Sequence, residues 1–271
     1  MKLDPQSALR FGEGWIDSHC HLADPRITDP TDVLKTAAAA GVTGFVMAGV
    51  DPDDWERQLA LARRHPQCLP VLGLHPYFVA DHTLEECETA LDQLARRLRE
   101  APGFIGEMGL DYRSHLVKDS EARQIEILHA QLELADFHQK PVVLHIVRAH
   151  KETRRLFEHF GPPACGGMVH AFSGSATDAE FYLAQGLHLS IGGGLLKPEN
   201  ERLDQVVRLA PLERLLVESD SPDQAPPGYP AGENRPDSIL PVAARIAELK
   251  GVTRDEVLAR SRANLLALLE P

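Results

Sequence analysis

Eight short runs dominated by Val, Ile and Leu recur along this chain, and amphipathic stretches separate most of them. The runs are Trp15–His21, Gly44–Val50, Cys68–His75, Phe104–Leu110, Pro141–Val147, Met168–Phe172, Leu187–Gly192 and Leu215–Asp220. Such composition suits parallel strands buried on both faces. The stretches Asp53–His65, Leu84–Glu100, Ser120–Gln139, Ala149–Phe160, Asp178–Gln185 and Asn200–Leu209 read as helices, and Val257–Leu269 as a closing one. Eightfold strand–helix alternation within about 250 residues predicts an α/β fold of the (β/α)8 TIM-barrel type. A doubly wound open sheet also alternates, but no Gly-rich dinucleotide loop follows the first run.

With 271 residues and 43% hydrophobic content, one large core suffices. We therefore expect a single barrel domain over residues 15–271, preceded by an N-terminal extension at 1–14 that lacks the apolar core of a secretory signal. No apolar run is long enough to span a bilayer. Cys20, Cys68, Cys87 and Cys165 show no CxxC spacing and read as reduced, buried thiols of a cytoplasmic protein. The formal charge of −12 argues against a surface that coats nucleic acid, though not against a nucleic-acid end held locally by metal ions. The basic clusters Arg63-Arg64, Arg96-Arg97-Arg99 and Lys151-Arg154-Arg155 read as solvated helix faces.

The chemistry-bearing residues gather at the strand ends. His19 and His21 flank Cys20, and on a strand the period of two turns both imidazoles to one side and Cys20 to the other. Two neutral imidazoles on one face suit a transition-metal ion. The fourth run supplies Glu107, the fifth His145, the sixth His170 and the eighth Asp220. In a barrel, side chains at the C-terminal strand ends converge on one mouth. Taken singly, each residue also fits a plain role as a hydrogen-bonded core histidine or a turn-capping aspartate. As a set they point to a metal site, because buried acids are costly unless paired or metal-bound. Six ligands exceed what one tetrahedral zinc needs. They suit two ions sharing a carboxylate, an arrangement that activates water and clamps a phosphoryl displacement. Glu107 is the natural bridge, and Asp220 the ligand that also accepts the proton of the water.

Several segments carry a family resemblance: Asp17-Ser18-His19-Cys20-His21-Leu22, Gly73-Leu74-His75-Pro76, Gly106-Glu107-Met108-Gly109-Leu110-Asp111, His170-Ala171-Phe172-Ser173-Gly174 and Glu218-Ser219-Asp220-Ser221-Pro222. In this order they resemble the motifs of the TatD family of metal-dependent deoxyribonucleases, from about residue 15 onward, with Asn264-Leu265 similar to its closing segment. The resemblance implies an amidohydrolase-type barrel and 3′-to-5′ exonuclease action on single-stranded DNA or RNA, with two divalent ions (magnesium, manganese or zinc). It implies that His19, His21, Glu107 and Asp220 hold one ion, and Glu107, His145 and His170 the other. Asp223 and Asn234-Arg235-Pro236 look closest to a less characterised branch of the family. The family often reads His-Ser-Arg after strand five. Here His145-Ile146-Val147-Arg148 displaces the arginine by one position, with phosphate binding as its implied role. Ser219 stands where Thr is common.

His75 is a candidate for hydrogen-bonding the substrate phosphate, and Asp111 and Arg113 for positioning Glu107 or substrate. Asp24 reads as a loop or cap residue. His65, His82, His115, His129, His138, His159 and His188 read as surface or helix residues. The Pro- and Gly-rich segment from Ser221 to Asn234 excludes a helix and forms either a rim over the mouth or a connection; Pro236 then opens a helix. The expected partner is a single-stranded nucleic-acid end, with no membrane and no obligate protein partner. Two other functions fit the same ligands: an amidohydrolase, esterase or deacylase acting on a small or aminoacyl substrate, and a non-catalytic metal-binding protein. A lysine at the end of strand four would favour carbamate-bridged amidohydrolases, and Glu107 stands there instead.

Overall fold

The strands form in the expected order because each apolar run pairs in parallel with the next. In the computed structural model, which describes residues 11–99, 101, 103–198 and 200–270, these are β1 (Trp15–Cys20), β2 (Val42–Met47), β3 (Cys68–Leu69), β4 (Ile105–Asp111), β5 (Val142–Val147), β6 (Gly167–Val169), β7 (Leu187–Ile191) and β8 (Leu215–Val217). They pair as β1-β2-β3 and β4-β5-β6-β7-β8. A few backbone contacts close the two seams. Leu72 bridges Ile105, and Gly106 N donates to Leu72 O at 2.9 Å. At the other seam Asp220 N donates to His19 O at 2.9 Å and His21 N to Ser221 O at 2.7 Å. The result is a (β/α)8 barrel.

Several strands are shorter than the sequence suggests. Pro70 offers no N–H to the ladder and ends β3 early. Beyond β6 and β8 the chain stays extended only until Ala171 (φ 42°) and Asp220 (φ 56°), residues in the left-handed region that turn it away. A helix unmarked in the sequence reading, α1 (Pro30–Ala39), follows β1. Asp29 caps it by accepting from Asp32 N, and Pro30 fills its first position. The segment after Arg235 begins as a 3-10 turn, Pro236–Ser238, before the helix Ile239–Lys250.

Ile16, Val46, Leu69, Phe104, Val143, Met168 and Leu216 pack together inside the barrel. Phe11, Leu265 and Leu269 close its floor, and Arg262 donates to the carbonyls of Gly12 and Gly14. Residues 11–14 thus belong to the packed body, while residues 1–10 of the expected extension lie outside the described residues. Cys20, Cys68 and Cys87 are buried and unpaired; Cys165, expected to be buried, is only half-buried. His188 corrects another expectation. It sits on β7 opposite Met168, is 6% exposed, and is no surface residue. No helix among the described residues is long and apolar enough to cross a membrane.

Candidate metal centre

On β5, β6 and β8 the inward face simply continues upward, from Val143 to His145, from Met168 to His170 and from Leu216 to Asp220, in steps of two. β1 and β4 have their inward lower residues, Ile16 and Phe104, on the opposite parity from His19 and Glu107. Register shifts in the strand pairing, between Asp17 and Cys20 and between Ile105 and Met108, reset the faces. Irregularities of this kind re-aim side chains near active sites. All six sequence-predicted ligands, His19, His21, Glu107, His145, His170 and Asp220, thereby converge.

Glu107 lies at the centre, buried. Its Oε2 is 3.3 Å from His19 Nε2 and 3.6 Å from His21 Nε2; Asp220 Oδ1 is 3.5 and 3.3 Å from the same two atoms. Its Oε1 is 2.6 Å from His145 Nδ1 and 2.7 Å from His170 Nε2. Three sets of ligand atoms lie close enough to share an ion: His19-Glu107-His170, His19-His21-Asp220 and His75-Glu107-His145.

The third set contains a residue that hydrogen bonding removes from ligation. His75 Nδ1 accepts from Tyr77 N at 3.0 Å, capping the short helix Pro76–Asp81. Burial brings its pKa down to about 4, so the ring is neutral and carries its proton on Nε2. That Nε2–H, 3.2 Å from Glu107 Oε1, is a donor and not a metal ligand.

Elsewhere in the cluster charge is favoured. Burial opposes ionisation of Glu107, but His170, His75, His19 and His145 hold its carboxyl well below the usual range. Burial also opposes Asp220, and the imidazoles of His21, His170 and His19 lower it to about 2. His21 rises to about 9, because Asp220 and Glu107 outweigh the burial that disfavours its charge. The carboxylates are therefore ready to receive a cation, which would displace protons from the imidazoles.

A metal fits this site on a second ground. His19 Nε2, Glu107 Oε2 and Asp220 Oδ1 are buried and make no hydrogen bond although they face one another. Each such atom costs about 1–3 kcal/mol when left unsatisfied, and a divalent cation satisfies all three together.

The supporting groups were only partly foreseen. Asp111 Oδ2 contacts His145 Nε2 at 3.1 Å, so it orients that histidine and not Glu107; Arg113 Nε holds Asp111 at 2.9 Å. Glu218 Oε1 accepts from Ala171 N at 2.7 Å and lies 3.6 Å from His170 Nδ1. Asp17 receives Ser219 N at 2.9 Å and Ser219 Oγ at 2.5 Å, tying β1 to the end of β8. Gln224 Nε2 donates to Asp220 Oδ2 at 2.6 Å. The loop after β8 forms a rim: Arg26 grips Asp223 at 2.8 and 2.6 Å, and Asn234 Nδ2 donates to Ser219 O at 2.6 Å. Asp24 is a loop residue that also pairs with Arg26. Arg148 is exposed in the left-handed region (φ 56°) just past β5. It is not among the side chains lining the mouth, where Arg26, Arg113 and Lys197 stand instead.

The barrel and its cluster define a metal-dependent hydrolase. Residues 16–270 match the family described as TatD related DNase. The metal-dependent hydrolase YjjV of Escherichia coli K12, itself uncharacterised, is 33% identical over 249 residues, covering 90% of this chain and 93% of that protein. The 3′-5′ ssDNA/RNA exonuclease TatD of Erwinia amylovora is 31% identical over 248 residues, with 89% and 93% coverage. The crystal structure of the E. coli YjjV protein superposes with a TM-score of 0.86 at 31% identity, over 97% of this chain and 98% of that one. The chain belongs to the TatD-related DNase family.

Proposed function

We propose that this enzyme is a phosphodiesterase that removes nucleotides from the 3′ ends of single-stranded DNA or RNA. The observation that carries the reading is the division of Glu107, with Oε2 facing His19 and His21 and Oε1 facing His145 and His170. A carboxylate shared in this way suits two divalent ions (magnesium, manganese or zinc), one held by His19, His21, Glu107 and Asp220, the other by Glu107, His145 and His170. Bound there, they supply the Lewis acidity that activates water and offsets the charge developing on phosphorus. Asp220 accepts the proton of the attacking water at its carboxylate, and Gln224 fixes the orientation of that group. His75 Nε2–H donates to a phosphate oxygen. Asp111 hydrogen-bonds the far nitrogen of His145, and Glu218 stands 3.6 Å behind that of His170. The naming of a relative as a single-strand exonuclease supports phosphodiesters as the substrate class. So does Glu107 in the place where a lysine would serve a carbamate-bridged amidohydrolase. The four free thiols fit a reducing compartment, and we place the enzyme in the cytoplasm.

The test is digestion of end-labelled single-stranded DNA by protein reloaded with magnesium or manganese, alongside Glu107→Ala. Stepwise shortening from the 3′ end, abolished by chelator and by the substitution, is the expected result. An intact oligonucleotide with metal shown to be bound would overturn the reading. Turnover of small esters or amides would then assign a different hydrolase, and no turnover of any substrate a metal-binding protein.

A further inference from the structure

The mouth above the cluster is a cavity of about 670 Å³, a size that encloses a drug-sized ligand and not an extended strand. Its non-histidine cations are Arg26, Arg113 and Lys197. Two of these are already neutralised. Arg26 pairs with both Asp24 and Asp223, and Arg113 donates to both oxygens of Asp111. Lys197 is exposed, and its ammonium has no acidic or hydrogen-bonding partner among the described residues. It is the cation left for a substrate.

One phenol lines the same cavity. Tyr77 is 39% exposed, with its ring centroid 4.3 Å from that of His75 and 6.4 Å from that of His145. Its hydroxyl accepts from Arg113, which anchors the tip of the side chain. Tyr77 follows β3 and Lys197 follows β7. In a closed ring of eight strands these positions lie on opposite sides, so an aromatic wall and a cationic wall face each other across Glu107.

We propose that a nucleotide strand crosses the mouth with its terminal base stacked on Tyr77 and its second phosphate paired with Lys197, while the scissile phosphate lies over Glu107 between them. The enzyme then reads about two nucleotides and is indifferent to the rest of the strand, since aromatic stacking tolerates any base. This rests on the nuclease reading above and adds its substrate footprint. Beyond Lys197 the mouth offers no unpaired cation for a third phosphate among the described residues, and the net charge of −12 disfavours contacts further out.

The experiment is steady-state cleavage of a ladder of oligodeoxyadenylates, from the dinucleotide upward, by the metal-loaded enzyme. Each length is made with a normal and with an abasic 3′ end. The value of kcat/KM should rise until the second phosphate is present and then level off. Tyr77→Leu should lower kcat/KM about tenfold or more on the normal end and much less on the abasic end, while Tyr77→Phe keeps the discrimination. Lys197→Met should raise KM about tenfold with the effect on kcat small. It should also flatten the plot of log(kcat/KM) against log salt by about 0.7, the contribution of one phosphate contact on a single strand; Lys197→Arg should restore the slope. A rate that keeps climbing with length overturns the footprint alone. So does equal loss on normal and abasic ends in Tyr77→Leu, or an unchanged salt slope in Lys197→Met. Wild-type enzyme that shortens no oligonucleotide overturns the nuclease reading and the footprint together.

Discussion

Glu218 and Asp111 are each buried against the far nitrogen of a histidine whose near nitrogen faces Glu107. A ligand imidazole held from behind keeps its tautomer and its angle, and losing such a support typically weakens metal affinity about 10–100-fold. Asp111→Asn and Glu218→Gln should each show a loss of that size by competition against a chromophoric chelator, with the fold intact by circular dichroism; unchanged affinity would leave both residues as packing elements only. At this scale the ligands were legible in sequence because each lies within or at the end of an apolar run and each is a costly residue to bury. Of their supports, Asp111 and Arg113 were singled out, though not for His145, and Glu218 and Gln224 were not. The partners of Glu218 and Gln224 become neighbours only once β7 joins β6 and β8 in one sheet and the rim loop folds back on Asp220. Arg148, singled out from a family pattern displaced by one position, stands where the chain turns (φ 56°) and is not among the side chains lining the mouth.

Among the elements, the short strand β3 depends on a close approach. A Cβ on Gly73 would lie 2.4 Å from the carbonyl carbon of Gly106, and one on Gly49 only 2.5 Å from its oxygen. Three backbones meet here without side chains, directly below Glu107. Gly73→Ala should therefore destabilise the fold by about 1–3 kcal/mol in urea unfolding and lower activity as well, since the backbone that must move carries Glu107. β7 gives a pH dependence. Burial, aided by Arg214, lowers His188 from 6.5 to about 4. Between those values the unfolded chain binds the extra proton, so stability falls as pH drops from about 6.5 toward 4 and is fully recovered above that window. The shift corresponds to roughly 3 kcal/mol over the window. His188→Gln should flatten this part of the stability curve, and an unaltered slope would contradict the assignment. The strands were readable from their composition. α1 was not, because its run of alanines, Ala37–Ala40, carries little amphipathic pattern and its cap, Asp29-Pro30, also reads as a turn.

For the molecule as a whole, barrel closure turns scattered residues into a site. β1 and β8 are far apart in the chain, yet their backbones pair at His19 and Asp220, and Arg26 fastens the two following loops at Asp223. Closure delivers His19, His21 and Asp220 to one oxygen of Glu107, and β5 and β6 deliver His145 and His170 to the other. The account stands on Glu107 joining these two halves. The most direct measurement is the metal content of wild-type protein and of Glu107→Ala, by mass spectrometry after dialysis against manganese, with both proteins checked for folding. We predict two ions per wild-type chain and at most one, weakly held, in Glu107→Ala. Two tightly held ions in the variant would contradict the central role of Glu107.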